Sequence, residues 1–338
     1  YDSETAQVLG SGANGEVWVV RHRETGAKFA AKAYNLVGID ALKCKEIETE
    51  VEILLTVDHP HVARVVDIYE TAECLTMVLE ILEGGELFDR VAEEGSFPEE
   101  DAAEALWQML LAIKYLHSLD IVHRDLKMEN WMYEKKGGKH LKLIDFGLSK
   151  FWQQSKTMEF RVGTLNYMAP ELLNGSYTSK CDLWSLGVIA YTLLTGSMPF
   201  TGENGDNTMM AFIRQGQYPQ SEEWLSLSAD ARAFVAGLLD VEADTRPSAE
   251  QALQHSWLRR RGLPLAPNIG GKIARSLSSY LQASDFWRAC AYMMVWSLSN
   301  EERASVRDTF LSMDSEYTGK ISLAGLRRLL AEKDAAEL

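Results

Sequence analysis

The sequence predicts an α+β chain in which a small antiparallel sheet precedes a larger helical lobe, and three observations carry the prediction. Over residues 5–33, short β-favouring runs alternate with glycine-rich turns. Beyond Gly84 the pattern becomes mainly helical, and residues 183–194 are apolar nearly all round, as in a helix buried at the centre of a lobe. A chain of 338 residues is also too long for one ordinary compact domain, which favours two or three units.

Each element follows from local chemistry. Ile47, Val51, Leu54 and Leu55 recur at helical spacing, and Asp58, His59 and Pro60 are expected to end that helix, because the residue before proline avoids the α region. Residues 62–80 are strand-like. Ser96 and Glu99 form a capping signal ahead of Leu106, Met109, Leu110 and Ile113, which predicts an amphipathic helix. The small lobe is therefore assigned to residues 1–82 and the helical lobe to 83–258. Around residues 259–271, Arg, Gly and Pro without apolar period read as a linker, and the linker and junction run to 298. Residues 299–338 hold a helix–loop–helix pattern centred on Asp314. There is no internal repeat and no long low-complexity segment.

Composition excludes several function classes. The chain is 46% apolar and 25% charged, and no apolar run approaches the ~18 residues of a membrane span. A formal net charge of −15 argues against general binding to nucleic acid or to an anionic membrane surface and favours cationic partners, basic peptides among them. Cys44, Cys74, Cys181 and Cys290 form neither a CxxC pair nor a zinc spacing, as expected of packing residues in a reducing, cytoplasmic compartment. The first residue is Tyr1, so any targeting or acylated segment is outside the sequence, and membrane anchoring through one stays open.

The chemistry is carried by an ordered series of motifs. Leu9 opens a glycine-rich turn in which Gly10, Gly12, Gly15 and Val17 form GxGxxGxV between two strand-like runs, where the backbone can close over phosphates with no Cβ in the way. Alone, this describes a plain hairpin equally well. Lys32, after Ala30 and Ala31 on a predicted strand, has an ammonium that can reach α- and β-phosphates, though a solvated strand lysine is the plainer reading. Glu50 follows on the next helix, where it can pair with that lysine. Then come His123-Arg124-Asp125-Leu126-Lys127-Met128-Glu129-Asn130, Asp145-Phe146-Gly147 and Ala169-Pro170-Glu171. Phosphoryl transfer needs a positioned hydroxyl, metal ions and positive charge along the phosphates, and these residue types supply that set.

In that order the motifs resemble the eukaryotic protein kinase family over residues 5–258. The resemblance implies a bilobal kinase fold and an ATP- and Mg²⁺-dependent transfer to a protein Ser or Thr. It implies that Asp125 orients the attacking hydroxyl and takes its proton, that Lys127 touches the γ-phosphate, and that Asn130 and Asp145 hold Mg²⁺. Leu79 resembles the gatekeeper, with Glu80 to Leu82 as the hinge that meets adenine, and Glu86 completes the implied nucleotide set. Asp182 and Trp184 match a buried-helix motif, and Glu171 with Arg246 matches a lobe-bracing ion pair. Met128 departs from the family's commoner proline without touching the catalytic residues.

Residues 83–90 and the ending His255-Ser256-Trp257-Leu258 resemble the calmodulin-dependent group. Asp314, Glu316, Thr318, Gly319, Lys320 and Ile321 are similar to an EF-hand loop after a junction like that of the calcium-dependent protein kinases. Only one such loop is present and EF-hands fold in pairs, so the sequence is read as a fragment or as a version that has lost its calmodulin-like region. Gly325 stands where tight loops place a bidentate glutamate, so weak Ca²⁺ binding is expected of this possible regulator. Glu86 and Glu129 match positions that favour arginine three residues before the accepting Ser or Thr. Glu159 is expected to act as a permanent anion for Arg124 in place of a loop phosphate. Residues 272–296 are expected to restrain the kinase, with Arg275 and Ser278 forming an RxxS pattern. Separate calmodulin is a less favoured partner, offered Arg259 to Arg261, Phe286, Trp287 and Trp296. A pseudokinase scaffold would lack a catalytic group, and Lys32, Asp125, Asn130 and Asp145 are all present; a calcium buffer would explain only the tail.

Overall fold

In a computed structural model, the structure describes residues 1–2, 8–12, 15–152, 158–159, 163–202, 205–260 and 283–296. Contacts divide the chain into one unit from Tyr1 to Arg261 and a second from Gly262 to Leu338. The first unit opens with a five-stranded antiparallel sheet of order β1-β2-β3-β5-β4, made of β1 Val8–Gly12, β2 Gly15–Arg21, β3 Lys28–Asn35, β4 Val65–Glu70 and β5 Cys74–Glu80. One face is closed by Trp18, Val20, Phe29, Ala31 and Val78 with Tyr1 packed against them.

Helix α1, Ala41–Thr56, lies between β3 and β4, and the Asp40 carboxylate accepts from the N–H of Lys43 to cap it. It ends before Pro60: Val57 is already extended, its N–H still donating to the Ile53 carbonyl. The helical lobe follows with α2 Leu87–Glu94, α3 Glu99–Ser118, α4 Pro170–Leu173, α5 Lys180–Thr195, α6 Asp206–Gln215, α7 Glu222–Ser226, α8 Ala229–Leu238 and α9 Ala249–Leu253. Helix α5 is its centre, with every residue from Cys181 to Thr195 buried.

Two expectations for α3 fail. The helix is not amphipathic, since residues 105–113 are all buried. Nor do Ser96 and Glu99 form a capping box. Pro98 is the N-cap, and proline has no N–H for a glutamate to reach and disfavours helical backbone at Phe97, so the helix cannot start earlier. The Glu99 carboxylate instead accepts from the Ser228 N–H and hydroxyl, each at 2.7 Å, and from Trp257 Nε1 at 3.0 Å. It thus ties the first turn of α3 to the start of α8 and to the lobe's closing 3₁₀ turn, Ser256–Arg260. All four cysteines are free, but only Cys181 is buried.

Short strands hold the loops between the lobes: β6 Ile121–Val122 pairs with β9 Lys150–Phe151, β7 Trp131–Tyr133 with β8 Leu141–Leu143, and β10 Met158–Glu159 with β11 Ser176–Tyr177. The segment after β5 lies along β7 through Gly84, whose N–H donates to the Tyr133 carbonyl; a Cβ there would stand 2.5 Å from that oxygen, so only glycine fits. In the second unit, Ser284 caps helix α10, Asp285–Trp296, by accepting from the N–H of Trp287. Residues 299–338, with the EF-hand-like loop, lie outside the described residues. No helix among the described residues is long and apolar enough to cross a membrane.

Just after α1, His59 stacks on Tyr115 with ring centroids 5.0 Å apart, and burial and the nearby Lys142 ammonium push its pKa from 6.5 down to about 4. The unfolded chain therefore takes up a proton between those values that the folded chain refuses, so this contribution is complete above pH 6.5 and is lost as pH falls. Urea titrations at pH 7 and pH 5 should show wild type losing about 1–2 kcal/mol more than His59→Gln, after allowance for partial exposure. Parallel losses in the two proteins would show that His59 is not held neutral in the fold.

Candidate active site

Strand register brings the residues expected to meet the nucleotide to one face. Val17 lies opposite Lys32, Lys32 opposite Met77 and Ala30 opposite Leu79, so with period-2 alternation Val17, Ala30, Lys32 and Leu79 project from the face away from the Trp18 cluster. Leu9, Gly10 and Gly12 on β1 run against Gly15 and Val17 on β2, with Gly12 opposite Gly15; residues 13–14 between them lie outside the described residues.

Lys32 is the junction of three segments. Its Nζ donates to Glu50 Oε1 of α1 at 2.8 Å and to Asp145 Oδ1 at 3.4 Å. Glu50 is only 3% exposed. Burial alone would lower the Lys32 pKa, but the two carboxylates outweigh it and raise the value, so the ammonium stays charged. For Asp145 the balance has the opposite sign: burial pushes its carboxyl up, and the Lys32 ammonium and the Gly147 N–H hold it below the usual range. Phe146 is fully buried against the His123 ring, and burial keeps that histidine neutral while its Nε2–H donates to the Asp145 carbonyl.

The catalytic loop presents Asp125 between two donors. Its Oδ1 accepts from the N–H and hydroxyl of Thr164, at 2.8 and 2.9 Å, and its Oδ2 lies 3.2 Å from Lys127 Nζ. Thr164 can approach because Gly163 precedes it at φ +105°, where a Cβ would stand 2.5 Å from the Arg124 carbonyl. Asn130, at the end of a 3₁₀ turn Met128–Asn130, donates Nδ2–H to the Asp125 carbonyl at 2.8 Å, which leaves its Oδ1 for a ligand. Arg124 donates Nε–H to the Leu148 carbonyl at 2.6 Å and Nη1–H to the Tyr177 hydroxyl at 3.2 Å. The side chain of Glu159, expected to serve Arg124, lies outside the described residues.

Leu79, Glu80 and Leu82 are all buried. Sequence reading valued Glu80 for its backbone alone; its side chain accepts from the Arg64 N–H at 2.9 Å and from Lys142 Nζ at 2.7 Å, joining the hinge to β8. A lone lysine between Leu141 and Leu143 was the available signal. Met132 lies across from that lysine. It pairs with Lys142 across β7 and β8, so it shares the face from which Lys142 reaches the hinge, while its neighbours Trp131 and Tyr133 are buried on the other. Glu86 precedes α2 without capping it; burial raises its pKa and the charges of Asp89 and Glu129 raise it further, so these carboxylates form one acidic group.

The donor set suits a hard cation. Mg²⁺ takes oxygen ligands and is held by one or two carboxylates together with substrate phosphates rather than by an all-protein cage. Asp145 and Asn130 offer oxygen donors, and among the described residues no cluster of three or more His, Cys, Asp or Glu forms a closed site. Asp314, Glu316, Thr318 and Lys320 of the expected calcium loop lie outside the described residues.

Comparison with known proteins agrees with this geometry. Residues 3–258 match the protein kinase domain family. The chain is 38% identical over 259 residues to myosin light chain kinase A of Dictyostelium discoideum, covering 76% of this chain and 88% of the relative. It is 34% identical over 324 residues to calcium-dependent protein kinase 8 of Arabidopsis thaliana, covering 94% of this chain and 60% of that protein. It is 33% identical over 331 residues to calcium-dependent protein kinase 2 of Oryza sativa subsp. japonica, covering 96% and 64%. The chain thus spans a little under two thirds of the length of the plant kinases it matches. With the Lys32–Glu50–Asp145 contacts and the loop around Asp125 assembled in one cleft, this chain belongs to the protein kinase family, as a serine/threonine kinase of the calmodulin-dependent and calcium-dependent group.

Proposed function

We propose that Lys32, Asp125, Lys127, Asn130 and Asp145 carry the transfer of the ATP γ-phosphoryl group to a Ser or Thr hydroxyl in a basic sequence context, and that calcium acts through the region after residue 258. The observation that carries the reading is the double contact of Lys32 with Glu50 and Asp145, which holds one ammonium on the face shared by Val17, Ala30 and Leu79. In this reading Lys32 neutralises α- and β-phosphate charge, with Glu50 keeping the ammonium forward. Asp125 orients the hydroxyl and accepts its proton, and Lys127, 3.2 Å from that carboxylate, brings positive charge to the γ-phosphoryl group as it moves. Asn130 and Asp145 would hold Mg²⁺, which when bound neutralises charge developing on the phosphate oxygens.

Substrate choice follows from charge. Glu86, Asp89 and Glu129 repel one another, and an arginine guanidinium relieves that repulsion. Glu129 also accepts from the Tyr167 hydroxyl at 3.4 Å, which orients it. Calcium control is supported by alignment with two kinases named as calcium-dependent over 324 and 331 residues, well past the 256 residues of the kinase domain match. The missing bidentate ligand at Gly325 argues that the loop has a structural role and is not a tight calcium site.

Three outcomes are expected. Asp125→Asn and Lys32→Met should each lower transfer at least about 100-fold in protein that still folds, with Lys32→Met melting lower because it leaves the buried Glu50 carboxylate without its ammonium; wild-type turnover in either would reject the assigned chemistry. Peptides with arginine three residues before the acceptor should exceed their alanine counterparts about 10-fold in kcat/KM, and Glu86→Gln with Glu129→Gln should shrink that ratio. A library screen selecting acidic or proline-directed peptides would overturn the specificity reading. Finally, activity of the full chain should differ between calcium and chelator, whereas a chain ending at Leu258 should respond to neither. Equal calcium-free activity of the two chains would exclude restraint by the tail.

A further inference from the structure

Arg124 stands immediately before Asp125 in an unusual backbone state. Its φ is +69°, a left-handed conformation that is unfavourable for a residue with a Cβ and persists only where several contacts impose it. The Arg124 N–H donates to Asp182 Oδ1 at 2.9 Å, and Gly163 closes against its carbonyl. The side chain reaches in two directions. Nε–H donates at 2.6 Å to the carbonyl of Leu148, three residues beyond Asp145, and Nη1–H donates at 3.2 Å to the Tyr177 hydroxyl. Tyr177 is 1% exposed and belongs to β11, which pairs with β10 of the segment leading to Thr164. One guanidinium therefore touches the segment that follows Asp145 and the strand that anchors the segment contacting Asp125. Both acceptors are neutral, and among the described residues no carboxylate forms an ion pair with Arg124.

We propose that Tyr177 is a positioning residue for phosphoryl transfer: its hydroxyl fixes the Arg124 guanidinium, and Arg124 in turn fixes the relative placement of Asp125, the Asp145 segment and Thr164. The inference rests on Asp125 as the group that orients the substrate hydroxyl. The ring of Tyr177 fills space that phenylalanine would fill equally; the hydroxyl is the part that bonds to a cation, and hydrogen bonds to charged groups are worth more than neutral ones. Its effect should fall on the chemical step. Neither Tyr177 nor the Arg124 side chain bonds to Lys32, Glu50 or Leu79, the residues assigned to the nucleotide, so ATP binding should be largely spared.

The test is a kinetic double-mutant cycle with Tyr177→Phe, Arg124→Gln and the double variant, reading kcat at saturating ATP and peptide, KM for ATP, and thermal melting of each protein. Tyr177→Phe is expected to lose about 10-fold in kcat with KM for ATP within about twofold of wild type and melting within a few degrees. The double variant is expected to be no slower than Arg124→Gln alone, since a residue acting through another adds nothing once that partner is gone. Wild-type kcat in Tyr177→Phe, losses that multiply in the double variant, or a fall in kcat that only tracks a fall in folded protein would each overturn the proposal. Asp125→Asn assayed in parallel separates the two readings. Activity there removes the premise, whereas inactive Asp125→Asn beside fully active Tyr177→Phe removes the positioning role alone.

Discussion

Asp182 is 1% exposed, yet its carboxyl is held below the ordinary carboxylate range: burial pushes it upward, and the hydrogen bond and charge of His117, with further contributions from His123, push harder the other way. Its oxygens accept from His117 Nε2 at 2.8 Å and from the backbone N–H groups of His123 and Arg124 at 3.0 and 2.9 Å. An ionised group at the N-terminal end of the buried helix α5 thereby dictates the path of the catalytic loop. The left-handed Arg124, the direction of Asp125 and the approach of Thr164 follow from that path. Removing the carboxylate would leave two buried N–H groups unpaired and release the strained residue beside the reacting centre.

The same physics recurs where the two lobes meet. Glu80 and Lys142 form an ion pair whose side chains are 3% and 10% exposed, a geometry in which desolvation offsets much of the attraction. Such a pair contributes less to stability than to register. It ties the end of β5 to β8, the strand that runs directly into Asp145. Arg246 is fully buried in the same manner, bidentate to Glu171 at 2.7 and 3.0 Å, donating to the carbonyls of Asp240 and Lys180, and lying over the Trp184 ring. Losing either partner would strand a charge in the core. The first pair fixes the end of β5 against β8, and the second fixes α4 against the turn before α9.

Parts of this arrangement were readable before any coordinate. The GxGxxGxV turn, Lys32, Glu50 and the ordered motifs from His123 to Glu171 announce a kinase because they are short local patterns that occur together in one order, though the turn or the lysine alone had a plainer reading. The apolar run of α5 likewise declared its own burial. Sequence reading failed where a side chain had two possible partners. Glu99 had the spacing of a capping residue, but Pro98 denies it a donor, and its carboxylate bonds to Ser228 and Trp257, 129 and 158 residues away. Helix α3 showed an amphipathic stripe, yet α5, α9, β8 and the closing 3₁₀ turn pack around it and leave no solvent face along its middle.

What the sequence determined by itself was therefore the fold class and the order of the chemistry-bearing residues, because these depend on period and near-neighbour spacing, whereas the register that turns Val17, Ala30 and Lys32 toward one face is seen only in the paired strands. Tertiary structure alone decided which buried charges meet. Lys142 finds Glu80 from 62 residues away and Arg124 finds Tyr177 from 53, and nothing in either local segment encodes the encounter. The reason is that a buried polar group takes whichever partner the packed lobe brings within reach. That choice is made only once α3 and α5 have closed the core and the cost of leaving such a group unpaired becomes decisive.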